Sequence, residues 1–82
     1  MKVMKFYATW CGPCKAMSKV LEDMDNLPEI EEIDIDGNME VAAKFNIRSV
    51  PTLVVTADDG TEVKRYTGGA SDRQALREFL EV

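Results

Sequence analysis

Eighty-two residues, 45% hydrophobic and 30% charged with only three Pro and five Gly, suit a single folded domain over 1–82 and leave no room for a separate nucleotide-binding module. Ten Lys plus Arg against 15 Asp plus Glu give a formal charge of -5, which argues against the basic footprint that a nucleic-acid partner requires. Uninterrupted apolar stretches are short, so no membrane span or export signal is expected, and the chain reads as a cytoplasmic monomer.

The first apolar run, Val3 to Ala8, is too brief for a helix and leads straight into Thr9-Trp10-Cys11-Gly12-Pro13, so it reads as a buried strand. From Pro13 the period changes. Cys14, Met17, Val20, Leu21 and Met24 share one helical face, and Pro13 suits a first turn, which predicts a helix to about Met24. Asn26 and Pro28 break it. Ile30 to Asp36 then alternates Ile33 and Ile35 with acids, as a strand with one buried face does.

Gly37-Asn38 supplies a turn and a cap for a short helix from Met39 to about Phe45, with Val41, Ala42 and Phe45 turned inward. Thr52 to Thr56 and Glu62 to Thr67 are β-rich runs joined closely enough for an antiparallel hairpin. A last helix opens with Ser71 and Gln74 in capping-box spacing and sets Ala75, Leu76, Phe79 and Leu80 on one face. The order βαβαββα begins with a right-handed βαβ unit and closes with a hairpin. The predicted fold class is α/β, a four-stranded mixed sheet flanked by three helices on both faces.

Chemistry has few places to reside, because the chain has no His and only two Cys, Cys11 and Cys14. Cys11 falls where the first helix begins, and the unpaired N–H groups and positive dipole end there favour an anion. A thiolate is that anion. It is the species that attacks disulfide sulfur, so Cys11 is assigned as the nucleophile. Cys14, about one turn along and facing inward, is assigned as the resolving thiol that cuts the mixed disulfide. No metal or organic cofactor is required. A zinc reading wants four ligands, which this sequence does not offer beside the pair, and a purely structural pair fits poorly with Trp10 on the adjoining turn.

Trp10-Cys11-Gly12-Pro13-Cys14-Lys15 is the active-site sequence of thioredoxins, and Ser49-Val50-Pro51-Thr52 resembles that family's cis-proline loop. The resemblance covers nearly the whole chain. It starts at the family's active-site strand, so the family's extra N-terminal strand and helix are expected to be absent. It implies a thioredoxin-like fold, a cis Pro51 facing the Cys pair, and a Val50 backbone that hydrogen-bonds an extended substrate segment. It also implies that Trp10 flanks the nucleophile and that Gly69 lines the docking surface. The implied function is thiol–disulfide oxidoreductase, a protein-disulfide reductase recharged by a flavin- and NADPH-dependent thioredoxin reductase.

One departure stands out. Thioredoxins carry a buried acid upstream of the first Cys and a lysine on the neighbouring strand, whereas this chain has Lys5 and Glu32 there, as if the charges were exchanged. Lys5 and Glu32 are expected to pair behind Cys14, with Glu32 relaying the Cys14 proton; the alternative is a lysine reaching to the surface and a glutamate in water. A glutaredoxin-like, glutathione-dependent reductase is the competing reading, drawn from the short length, Ser49-Val50-Pro51 and the Gly68–Asp72 segment. The Gly-Pro spacer speaks against it. A module that docks through the Cys11/Pro51 surface without turnover is the third reading. The acidic stretch from Glu22 to Glu40 is read as a solvated face.

Overall fold

A computed structural model describes residues 1–67 and 72–81. The elements are β1 (Lys2–Tyr7), α1 (Gly12–Glu22), β2 (Ile30–Asp34), α2 (Met39–Lys44), β3 (Thr52–Thr56), β4 (Glu62–Thr67) and α3 (Arg73–Leu80). The four strands form one sheet in the order β2-β1-β3-β4. β1 pairs parallel with β2 and antiparallel with β3, and β3 pairs antiparallel with β4, which is the mixed sheet expected.

Strand alternation divides the core between the faces. Val3, Leu53 and Val55 point to one side, where Met17, Leu21 and Met24 of α1 and its C-terminal turn meet Leu76 and Leu80 of α3. Met4, Phe6, Val54 and Ile33 point to the other, against Val41 and Phe45 of α2 and the following Ile47. Since both faces of β1 and β3 are covered, these strands are mostly apolar, with Lys5, Thr52 and Thr56 enclosed among them, and β3 is buried at every position. Phe6, Leu53 and Leu76 are fully enclosed, each removing apolar surface worth roughly 1.5–3 kcal/mol.

Element ends depart from the pattern where polar side chains intervene. α1 stops at Glu22, short of Met24, and the Asp23 N–H bonds back to Lys19 O and Val20 O. β2 stops at Asp34, since the Asp34 carboxylate accepts from the Asp36 N–H at 3.0 Å and its carbonyl takes the Asn38 amide at 3.1 Å. These side-chain bonds turn the chain before Asp36 can join the ladder. Asn38 therefore stands at the α2 cap position without capping it. Asp72 caps α3, its Oδ1 accepting from the Gln74 N–H at 3.0 Å and the Ala75 N–H at 3.4 Å, whereas the expected cap, Ser71, lies outside the described residues.

The β3–β4 hairpin turns through Gly60, whose φ of 90° suits a residue without Cβ. The perturbed titrating groups lie here. The Thr61 backbone N–H holds the Asp59 carboxyl below its usual range. The Arg65 guanidinium does the same for Glu62, and Glu62 in turn raises Arg65. Among the described residues, no helix is long and apolar enough to cross a membrane.

Candidate functional site

β1 delivers the chain to Ala8, whose carbonyl accepts from the Cys11 N–H at 3.1 Å, and this tight turn starts α1. Cys11 is the N-cap, with φ -90° and ψ 110°, and its Sγ accepts from the Cys14 N–H at 3.1 Å. A sulfur thus occupies the place where a Ser or Asp oxygen ordinarily satisfies an orphan helix N–H. Cys11 and Cys14 form a disulfide with Cα atoms 5.3 Å apart. In this oxidised form both residues are almost enclosed, at 4% and 2% exposure, so the shelter expected of Cys14 extends to Cys11 as well.

Val50 and Pro51 come to the same place from the other side. The Val50–Pro51 bond is cis, and Pro51 is fully buried at the entry to β3. Val50 packs against Ala8, Cys11 and Cys14, and its carbonyl oxygen lies 3.6 Å from Cys11 Sγ. A disulfide sulfur has no proton to donate, so that approach is a contact here and becomes a hydrogen bond only from the reduced thiol. Thr52 Oγ1 donates to Ser49 O at 2.7 Å and pins the loop.

Trp10 is 68% exposed beside the pair, and its indole N–H donates to Asp36 at 3.0 Å. Gly12 and Pro13 are exposed on the first turn, and a Cβ at Gly12 would meet nothing within 4 Å. Gly69 lies outside the described residues.

On the α1 face of the sheet, Lys5 and Glu32 stand opposite each other in register, and Lys5 Nζ reaches Glu32 Oε1 at 3.1 Å. Their environments differ sharply: the Lys5 side chain is 2% exposed and that of Glu32 58%. Lys5 does not reach for the surface, while Glu32 stands largely in water on the edge strand. Lys5 Nζ also donates to Ser18 Oγ and lies 5.6 Å from the Tyr7 ring. An open groove lined by Tyr7, Ala8, Cys14, Ser18, Glu22 and Glu32 joins this cluster to Cys14.

Two residues here were not singled out in the sequence. Ser18 shows only as the residue four places after Cys14 on the same helix, and Asp36 only as the last acid of an alternating run. Another hollow lies elsewhere, between Met4, Val41, Phe45 and Ala57, remote from the sulfurs. Among the described residues no three potential ligands gather to hold a metal ion.

The thioredoxin family model matches residues 1–82. The thioredoxin of Staphylococcus haemolyticus is 44% identical over 85 aligned positions, covering 99% of this chain and 80% of that protein. The thioredoxin of Bacillus subtilis is 40% identical, covering 92% of this chain and 74% of its own length. Among solved structures, Fasciola hepatica thioredoxin superposes with a TM-score of 0.82 at 36% identity, covering 96% of this chain and 76% of that one. The chain belongs to the thioredoxin family, and with its Cys11–Cys14 disulfide it is a thiol–disulfide oxidoreductase of the thioredoxin type.

Proposed function

We propose that this chain acts as one domain over 1–82 and reduces disulfides of client proteins with Cys11 as the nucleophile and Cys14 as the resolving thiol. The Cys11 thiolate attacks one client sulfur, the client S–S bond breaks, and the departing sulfur takes up a proton. Cys14 then loses its proton and attacks Cys11 Sγ, so the Cys11–client bond breaks and the second client sulfur leaves as a thiol. Two electrons pass to the client and the Cys11–Cys14 disulfide remains. The observation that carries this reading is the Cys11 sulfur seated as the helix cap on the Cys14 N–H at 3.1 Å, where the helix end favours its anion.

The surroundings supply roles for the other residues. Val50 and Pro51 offer backbone to an extended client segment beside Cys11, and exposed Trp10, anchored on Asp36, covers its flank; for Gly69 a docking role rests on the family resemblance alone. Gly12 and Pro13 leave the first turn open to the client. Glu32, held by Lys5, receives the Cys14 proton through the groove. The Cys pair itself is the redox group, with no resident cofactor, and the protein works as a cytoplasmic monomer.

A thioredoxin reductase using flavin and NADPH is the proposed electron donor in preference to glutathione. At the start of α3 the Asp72 carboxylate already takes the Gln74 and Ala75 N–H groups, which an incoming glutathione carboxylate would need. Cys14→Ser tests the central claim, because it blocks the second step and leaves the client bound. Non-reducing electrophoresis is expected to show protein-sized adducts that dithiothreitol dissolves and that Cys11→Ser abolishes. An absence of adducts in a mixture rich in cystine-containing proteins overturns the assignment.

A further inference from the structure

Lys5 is the one charged side chain enclosed in the core among the described residues, and the exchange above uses it only to hold Glu32. An enclosed ammonium is costly unless it is paired. Glu32 meets that need from one side only, as a carboxylate 58% exposed to water. The other side is closed by the Ser18 hydroxyl. Ser18 lies four residues after Cys14 on α1, so the two are stacked neighbours about 5–6 Å apart at Cβ, and both line the groove that runs to Glu32. The hydroxyl therefore holds the cation on the Cys14 side of the groove.

The other charges around this point are less well placed. From α1 the groove receives Lys15, Lys19 and Glu22, of which all three are exposed and screened by solvent. β2 adds Glu32 and Asp34, and Asp34 Oδ1 is occupied by the Asp36 N–H. β1 adds Tyr7, while β3 sets apolar Leu53 opposite Lys5; β4 adds Tyr66 beside Leu53 and Lys64, whose ammonium is taken by the Phe79 carbonyl, and among the described residues α3 brings apolar Leu76, Phe79 and Leu80 to this face. Lys5 is the charge that burial leaves unscreened.

We infer that Ser18 and Lys5 are positioning residues for the second half of the exchange: Ser18 seats the Lys5 ammonium where it favours the Cys14 thiolate. The inference rests on the thiol-exchange reading above. Once Cys11 is tied to the client, the Cys14 proton leaves to the Glu32 carboxylate or to groove water. The freed electron pair makes the Cys14–Cys11 bond, the Cys11–client bond breaks, and the client sulfur takes up a proton. The client disulfide is the sole oxidant. Lys5 touches none of the reacting atoms and acts through charge.

The test titrates Cys14 alone, in a Cys11→Ser background, by its ultraviolet thiolate absorbance. Lys5→Met is expected to raise the Cys14 pKa by about one unit, the lower end of what one nearby charge does. Ser18→Ala is expected to raise it by less. Adding Glu32→Gln to Lys5→Met removes the carboxylate left without its cation and is expected to reverse part of the rise. In the intact protein, a one-unit rise leaves tenfold less thiolate below the pKa but a more nucleophilic one, so client release slows about three- to fourfold at neutral pH.

A Cys14 titration unchanged in both Lys5→Met and Ser18→Ala overturns the inference, as does a full rise that Glu32→Gln leaves untouched, which would mark a packing effect. Should Lys5→Met fail to fold, the surface-tolerant Ser18→Ala decides. The titration needs no client, so its outcome is separate from that of the Cys14→Ser trapping experiment. Failure there sinks the exchange reading itself.

Discussion

Toward each edge of the sheet a basic residue pairs with a glutamate, and the two sides use the pair in opposite ways. On the β4 side Arg65 meets Glu62 three residues away on the same strand, at 2.6 Å, with both side chains about a third exposed. On the β2 side Lys5 of β1 meets Glu32 across the ladder, with the lysine enclosed and the glutamate in water. The first pair is local and screened, and its second task is to send Arg65 Nη2 to the Phe45 carbonyl at 2.6 Å, tying β4 to the end of α2. The second spans strands and places a charge inside the core near the sulfurs. Coulombic attraction between such pairs grows as water is excluded, so burial, more than distance, separates a brace from a device that can act on a neighbouring thiol.

Truncating the bases should give the largest contrast. Lys5→Ala removes a buried four-carbon stem as well as a charge, and by analogy with large-to-small core substitutions it is expected to cost about 2–4 kcal/mol. Arg65→Ala gives up two partly exposed hydrogen bonds to the Glu62 carboxylate and one to the Phe45 carbonyl and is expected to cost about 1 kcal/mol. Urea unfolding midpoints measure both. If Lys5→Ala is no worse than Arg65→Ala, the lysine is not the enclosed group that its 2% exposure describes.

Replacing the acids separates function from stability. Glu32→Gln leaves the enclosed ammonium without its counter-charge and is expected to cost about 1–2 kcal/mol, less than for a fully buried pair because Glu32 is half in water. It should also change the pH profile of disulfide exchange if Glu32 takes the Cys14 proton. Glu62→Gln should leave that profile alone. An unchanged profile in Glu32→Gln removes the relay from the proposed mechanism and leaves the Cys11 and Cys14 roles standing.

The same contrast shows what a reader of the sequence can and cannot see. β3 and β4 end where their β-rich runs end, because apolar continuity and the Asp59-Gly60 turn are local properties. The Cys11–Cys14 spacing is local too, and a helix starting at Gly12 makes one sulfur its cap. The expected strand end at Asp36 fails because several polar side chains in a row can each bond a backbone N–H, and Asp34 does so; at the start of α3 it is Asp72 that takes the helix N–H groups. The partners of the site are nonlocal. Trp10 finds Asp36 across 26 positions and Lys5 finds Ser18 across 13, and neither pair has a spacing that announces it. The placement of Lys5 in the core runs against its residue type, so only the resemblance, which puts a buried acid and a neighbouring-strand lysine at these two positions, suggested a pair.

The smallest expected effect concerns acid. The Arg65 hydrogen bond lowers the folded-state pKa of Glu62 below the ordinary 4.5. A carboxyl with a depressed folded-state pKa adds stability that is fully present above its unfolded value and is lost as pH falls through the folded value. Wild type should therefore exceed Glu62→Gln at neutral pH by less than about 1 kcal/mol, because the pair is solvent-screened, and the gap should close below pH 4.5. Asp59 is shifted the same way by the Thr61 N–H and steepens the same acid limb in both proteins, so it cancels in the difference. High salt should narrow the Glu62 gap at neutral pH, since screening reaches an exposed pair. A gap that stays constant from neutral pH down through the acid range would mean that the Glu62 carboxylate adds nothing through its charge, and the β4 edge would then be held by the Arg65 bond to Phe45 alone.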